Sequence, residues 1–335
     1  MQLRRRTRIG RPLRGRGRGL LTSGGSTIRD VPDELRERAA LIALLRGAER
    51  GWPLIACDVL ERGSAAALLD EAVADRDTLF ARPERTDQLI GEAAALLEQW
   101  STAGIGVHTV VDDSYPPQLR EIRELPPVVF TRGRMADDTR AVAVVGTRRA
   151  SERGLMIADR VAATLARRQV AVVSGLAAGI DTAAHRAALN AGGRTIAVIG
   201  TGIERCYPAA NRDLQDRIAR DGLVLSQFWP DAPPRKQQFP MRNAVMSGYA
   251  AATLVIEAGE KSGARNQARL ALQHGRPVIL LSDLLVHDWA QALTDRPGVT
   301  VAGTPDEVLD AVDQILEQRA AELSPWEATP DLAIT

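Results

Sequence analysis

The densest set of ligand-binding groups lies between Trp229 and Gly248, in PDAPPRKQQFPMRNAVMSG, where Arg235, Lys236, Gln237, Gln238, Arg242 and Asn243 surround one ring, Phe239. Cations interleaved with an aromatic suit a single strand of nucleic acid, because the cations neutralise phosphates and a base can stack on the ring. Phe239 is one of only four phenylalanines, and Lys236 and Lys261 are the only two lysines. The competing use of Phe239 is as a core anchor beside Pro240. A second cluster, Gly146-Thr147-Arg148-Arg149-Ala150-Ser151, follows the apolar run AVAVV and opens a helical segment near 152–168. Backbone N–H groups at that helix start, the hydroxyls of Thr147 and Ser151 and the Arg148 guanidinium would form a phosphate-binding corner. A plain strand-to-helix turn that needs its glycine is the alternative.

Two further loops carry usable groups. Ser174-Gly175 leads through Leu176-Ala177-Ala178-Gly179 to Asp181, with His185 one helical turn later. Asp181 suits a helix cap, and side chains at i and i+4 share a face, so Asp181 and His185 could each touch a ligand or each other, a structural hydrogen bond between them being the expectation. Ser174 lacks the G-x-S-x-G elbow of hydrolases, which argues against nucleophilic catalysis. Glu257, Lys261, Ser262 and Gly263 mark another helix start suited to an anion or a ribose hydroxyl. The turn Cys206-Tyr207-Pro208-Ala209-Ala210-Asn211 reads as architecture, with Asn211 placed to cap the next helix.

These loops all follow short apolar runs: AVAVVG, VAVVSG, TIAVIG, LVLSQF, ATLVIEAG, PVILLS and VTVAG, alternating with helical segments after Arg140. That alternation predicts an α/β fold, a Rossmann-like doubly wound parallel sheet with helices on both faces, whose ligands sit at the carboxyl ends of the strands. Upstream, ELRERAALIALLRG, GSAAALLDEAVA and DQLIGEAAALLEQW have apolar residues at three- and four-residue spacing, so residues 31–100 form a small all-helical domain, one of its helices capped by Ser64. Residues 101–140, with Tyr115-Pro116-Pro117 and Pro126-Pro127, read as an extended connector packed on the core at 141–320, whose last helix is capped near Thr304. Residues 321–335 read as a loose tail.

Eight arginines fall between Arg4 and Arg18 with no acid before Asp30, so residues 1–30 are expected as a disordered Arg/Gly-rich tail that touches phosphates, is merely solvated, or reflects an over-extended translation start. Without those eight, the chain's 43 basic residues fall to 35 against 42 acidic ones. A body of that charge holds nucleic acid only through a local cation cluster. Cys57 and Cys206 have no metal-like or disulfide spacing, and Gly146–Ser151 is not the dinucleotide fingerprint, so no metal and no cofactor is expected. No apolar run reaches membrane-spanning length, which makes a cytoplasmic protein without a membrane partner the expectation.

VAVVGTRRAS, VVSGLAAGIDTAAHRAAL, GGRTIAVIGTGIERCYPAAN, FPMRN and LVIEAGEKSG, in this order over residues 141 to about 282, resemble the DNA-processing protein A (DprA/Smf) family, of which the chain looks like a divergent member. DDSYPPQLREIRELPPVVFTRG resembles the segment before that family's core. The resemblance implies an extended Rossmann fold that binds single-stranded DNA in a basic pocket, forms a homodimer and loads a RecA-type recombinase during natural transformation. The family's G-[ST]-R corner falls on Gly146, Thr147 and Arg148, and its Lys-x-x-Phe-Pro stretch on Lys236, Phe239 and Pro240. Its R-N-R triplet becomes Arg242-Asn243-Ala244, and its S-G-[ST]-L-I-T becomes Ser262-Gly263-Ala264-Arg265-Asn266-Gln267. Leu281–Leu285 replaces its Pro-Gly-rich loop, and no winged-helix domain is expected beyond the core.

The expected function is therefore non-catalytic binding of single-stranded DNA. Gly146, Thr147, Arg148, Ser174, Gly175, Lys236, Phe239, Arg242, Asn243, Ser262 and Gly263 are the candidate contacts, with Arg148, Lys236 and Arg242 on phosphates and Phe239 under a base. The rival is a protein that senses or cleaves a nucleotide, held by the loops at Gly146, Ser174 and Ser262 with Glu257 near the ribose. A closed pocket would favour the nucleotide, an open basic groove past Phe239 the strand.

Overall fold

The structure is a computed structural model that describes residues 32–76 and 83–323. The expected tail at 1–30 lies outside the described residues, as does the chain after 323; the final helix runs past the boundary expected at 320. Four helices come first: α1 (Asp33–Arg46), α2 (Trp52–Arg62), α3 (Ala65–Arg76) and α4 (Pro83–Thr102). Ser64 caps α3 as expected, its Oγ accepting the Ala67 N–H at 3.1 Å. Trp52 of α2 and Trp100 of α4 pack on Trp229, at 4.9 and 5.9 Å between ring centroids, and Trp100 meets Phe130 edge-on at 5.2 Å. The helical region thereby shares one apolar core with the sheet.

The stretch expected as a connector contributes to the sheet itself. β1 (Gly106–Thr109) pairs antiparallel with β2 (Val128–Gly133), and β2 pairs antiparallel with a strand of the core. Tyr115 is buried between them in sequence, its hydroxyl donating to the Pro126 carbonyl at 2.6 Å.

The core then alternates: β3 (Ala141–Val145), α5 (Glu152–Arg167), β4 (Ala171–Ser174), α6 (Ile180–Asn190), β5 (Thr195–Val198), α7 (Arg212–Asp221), β6 (Leu223–Ser226), α8 (Gln238–Tyr249), β7 (Ala252–Val255), α9 (Gly263–Gln273), β8 (Val278–Leu281), α10 (Asp288–Thr294), β9 (Val299–Ala302) and α11 (Pro305–Leu323). All seven apolar runs are strands. The spatial order is β1-β2-β6-β5-β4-β3-β7-β8-β9, with β3 to β9 parallel. Every residue of β3 through β8 is buried, which is why these strands read as continuous apolar runs and not as alternations. Successive side chains still point to opposite faces: Val142 and Val144 join a cluster with α5, α6 and α11, whereas Ala141, Ala143 and Val145 join the cluster that includes Val245, Met246 and Ala268 of α8 and α9.

The chain leaves β3 toward β4 on one side, and from β7 continues to β8 on the other. β3 and β7 are therefore the neighbours at which the winding reverses, and a crevice must open beyond their carboxyl ends. Thr304 caps α11, its Oγ1 accepting the Glu307 N–H at 3.2 Å, while the Glu307 carboxylate accepts the Gly303 N–H at 2.8 Å.

Candidate functional site

The crevice is a solvent-open cleft of about 480 Å³. Gly146, Thr147, Arg148 and Arg149 enter it from the loop after β3, Lys261, Ser262 and Gly263 from the loop after β7 and the start of α9, and Phe239, Arg242 and Asn243 from α8. Nine of the eleven candidate contacts were drawn from these three places, and eight of them line the cleft; Lys236, the ninth, does not. The two loops are locked together: the Thr147 N–H donates to the Glu257 carbonyl at 2.7 Å. Gly146 is required by that approach, because a Cβ there would sit 2.5 Å from Ile180 Cγ1 and 2.9 Å from the Glu257 carbonyl oxygen.

Phe239 is half-buried, not sealed in the core. Its ring packs on Gly200, where a Cβ would come within 2.9 Å of it, and the Arg148 guanidinium carbon stands 5.5 Å from its centroid, a cation–π distance. Tyr207 lies beside it, 5.6 Å between centroids with the planes at 52°. Tyr207 is 44% exposed, whereas Tyr115 and Tyr249 are each 1% exposed. Its turn, which reads in the sequence as architecture, therefore also presents an aromatic to the solvent, and the signal for it is a tyrosine between Arg205 and Arg212 in a chain with three tyrosines.

The expected contacts from the loop after β4 are not at the cleft. Ser174 is fully buried and its hydroxyl donates to the Val144 carbonyl at 2.7 Å. Gly175 is buried under Arg242, with a Cβ there falling 1.8 Å from Nη1. Both serve the framework because β4 delivers them beneath α8. Arg242 itself is only 5% exposed. Its Nη1 donates to the carbonyls of Gly175 and Val198, and its Nε to Asn243 Oδ1 at 3.1 Å. Its charge underlies the cleft, but two of these three hydrogen bonds tie strand ends together.

Asp181 and His185 do not bond to each other as expected. Asp181 Oδ2 accepts the N–H groups of Gly175 at 3.1 Å and Ala177 at 3.3 Å, and His185 Nδ1 pairs with Thr195 Oγ1 at 2.7 Å. Burial pushes the Asp181 carboxyl above its usual range, with the Arg242 charge opposing the rise. Burial, aided by Arg242, lowers His185 to about 3. Asn211 precedes α7 as expected, but it makes no side-chain cap; its Nδ2 donates to the Leu176 carbonyl and to Thr182 Oγ1, both at 2.9 Å. Leu176 needs that support because it holds a left-handed φ of 57°.

The proposed phosphate corner at the start of α5 is already filled. The Glu257 carboxylate accepts the Ser151 N–H at 3.0 Å and the Ser151 hydroxyl at 2.8 Å, while Ser151 Oγ caps the helix by accepting the Gly154 N–H at 3.0 Å. A carboxylate at a helix N-terminus supplies the anion that end favours. Neither Ser151 nor Glu257 is then free for phosphate or ribose.

What remains at the cleft is cationic. Arg148, Arg149 and Lys261 line it and meet no carboxylate among the described residues, whereas Arg153, Arg160 and Arg168 are each paired with an aspartate. Lys236 is exposed in the loop before α8 and is likewise unpaired among the described residues. Ser262 caps α9, its Oγ accepting the Ala264 N–H at 3.2 Å. Among the described residues no group of three His, Cys, Asp or Glu side chains could hold a metal, and no helix is long and apolar enough to cross a membrane.

The family model described as DNA recombination-mediator protein A matches residues 106–302. The DNA processing protein DprA of Streptococcus pneumoniae is 43% identical over 175 residues, 52% of this chain and 61% of that protein. The Bacillus subtilis DNA processing protein DprA is 32% identical over 225 residues, 67% of this chain and 76% of its own length. The crystal structure of the Streptococcus pneumoniae protein superposes with a TM-score of 0.57 at 31% identity, covering 83% of this chain and 95% of that one. A structure described as giving insight into "the unique single-stranded DNA binding mode of DNA processing protein A from Helicobacter pylori" gives a TM-score of 0.55 at 25% identity, covering 63% and 96%.

Proposed function

This chain belongs to the DNA recombination-mediator protein A family, and from that premise we propose that its cleft binds single-stranded DNA without cleaving it. The observation that carries the reading is the half-buried Phe239 ring with Arg148 at 5.5 Å, in a cleft also lined by Arg149 and Lys261, which meet no carboxylate among the described residues. A base stacks on Phe239 while the backbone crosses toward Ser262 and Gly263, with Lys236 neutralising phosphate at the rim. Binding is then sequence-tolerant, since every base has a π face. As a homodimer, the protein would hand its strand to a RecA-type recombinase in recombination or DNA uptake. The cleft opens to solvent and Glu257 is committed to Ser151, both of which favour a strand over an enclosed nucleotide.

The test is fluorescence anisotropy with labelled oligo-dT on the full chain, on a version lacking residues 1–30, and on Arg148→Ala with Phe239→Ala. Binding that survives the truncation and falls at least tenfold in the double variant supports the cleft. Binding that depends on residues 1–30 alone, or tight mononucleotide binding without oligo-dT binding, overturns it.

A further inference from the structure

Beside the cleft lies a second groove, of about 590 Å³, between α9 and α10. Lys261 and Ser262 line both, so the two adjoin. The groove is bordered by Arg265, Asn266, Arg269 and Arg296, with Trp289 among its walls. Trp289 is 5% exposed, which makes that wall part of the packed body and not a loose side chain.

Its charge is one-sided. Lys261, Arg265, Arg269 and Arg296 face a single lining acid, Glu260, whose carboxylate stands 3.9 Å from Arg265 and 3.4 Å from His287. Arg269 directs its guanidinium to neutral amides, Asn266 and Gln273, both at 3.0 Å. These bonds fix its position without cancelling its charge. Arg296 and Lys261 meet no carboxylate among the described residues. Arg265 and Arg269 are one helical turn apart on the exposed side of α9, so their cations form a row along the helix.

We infer that the α9–α10 groove is a second binding segment for the phosphate backbone of single-stranded DNA, continuing the strand out of the cleft over Lys261 and Ser262. The inference rests on the strand reading of the cleft and adds to it a direction and a length. A short oligonucleotide fills the cleft alone; a longer one gains the groove. Arg265, Arg269 and Arg296 act on phosphates and leave base preference unchanged.

The experiment compares labelled oligo-dT of about 6 and about 15 nucleotides, within the roughly 4–16 nucleotides that strand-binding sites occupy, on the full chain and on Arg269→Ala with Arg296→Ala. Both residues are exposed, so the fold tolerates the change. A control carries Arg186→Ala, exposed on α6 and outside both sets of lining residues. The expected result is an unchanged affinity for the short probe and a loss of about tenfold or more for the long one. The salt dependence of long-probe binding should fall by about 1.4, two phosphates at about 0.7 each. Equal affinity of wild type for both lengths, an unchanged long-probe affinity in the double variant, or an equal loss on both probes overturns the groove while leaving the cleft in place. Failure of wild type to bind either probe removes both.

Discussion

Replacing Arg242 by methionine separates framework from ligand contact. Methionine keeps the apolar stem and removes the guanidinium, so the carbonyls of Gly175 and Val198 lose their donor and the Asp181 carboxyl loses the cation that opposes its burial. Breaking one partner of a buried charge arrangement costs about 3–5 kcal/mol, a large share of the roughly 5–15 kcal/mol that holds a domain folded. With a urea m-value of about 3 kcal/mol/M, the unfolding midpoint drops by about 1–1.7 M. The deficit depends on pH in a defined direction. Asp181 already binds its proton more tightly in the folded chain than in the unfolded one, so its contribution to stability is present at low pH and lost as pH rises through its raised pKa. Losing Arg242 raises that pKa further, so the variant's deficit must narrow on acidification. Urea denaturation followed by circular dichroism at neutral and mildly acidic pH reads both effects. A wild-type midpoint in Arg242→Met, a deficit that widens with acid, or full stability with oligo-dT binding lost would each refute the strut and make Arg242 a phosphate ligand.

Gly175→Ala attacks the same strut from below and should destabilise by about 1–3 kcal/mol, the usual cost of overpacking, because its Cβ would fall 1.8 Å from Arg242 Nη1; thermal melting checks it. Tyr207→Ala should weaken oligo-dT binding by about 1–3 kcal/mol, the worth of one stacked base, with Tyr207→Phe close to wild type; an unchanged Kd in the alanine variant would leave Phe239 as the lone stacking ring. Glu257→Ala should lower the melting temperature by uncapping the α5 start yet leave oligo-dT affinity intact or raised; a large loss of affinity would return Glu257 to the ligand. His185, held to about 3 in the fold against 6.5 free, contributes stability above pH 6.5 that is lost as pH falls toward 3, so His185→Gln should flatten the acid side of a midpoint-against-pH curve.

The parallel strands were legible because both their faces are covered, so each reads as an unbroken apolar run. β1 and β2 were not: Gly106-Val107-His108-Thr109 is four residues with a glycine and a histidine, and VVFTRG follows Pro126-Pro127, which reads as extended connector. Their place is fixed by antiparallel pairing onto β6, a contact no local pattern encodes. At the site, Gly146 to Arg148 and Ser262 to Gly263 were legible because cleft residues in such folds follow strand ends, and Phe239 because it is the one ring among a cluster of cations. The same rule misplaced Ser174 and Gly175, since it names the loop but not its depth under α8. The bond between Ser151 and Glu257 spans 106 positions in sequence, beyond any spacing argument.

That long-range bond decides how the cleft is used. The reversal of winding brings two helix starts, α5 and α9, to one crevice, and either could receive a phosphate. Glu257 satisfies the first from within the chain, so a ligand anion placed there would meet a carboxylate instead of free N–H groups. The start of α9 has only the neutral Ser262 hydroxyl as its cap, with Lys261 beside it and Arg265 one turn along. On the proposed strand reading, this electrostatic asymmetry directs a phosphate chain away from α5, across Arg148 and toward α9. On the proposed reading a strand uses one of these helix starts together with a basic path leading out of the cleft, for which the α9–α10 groove is the candidate.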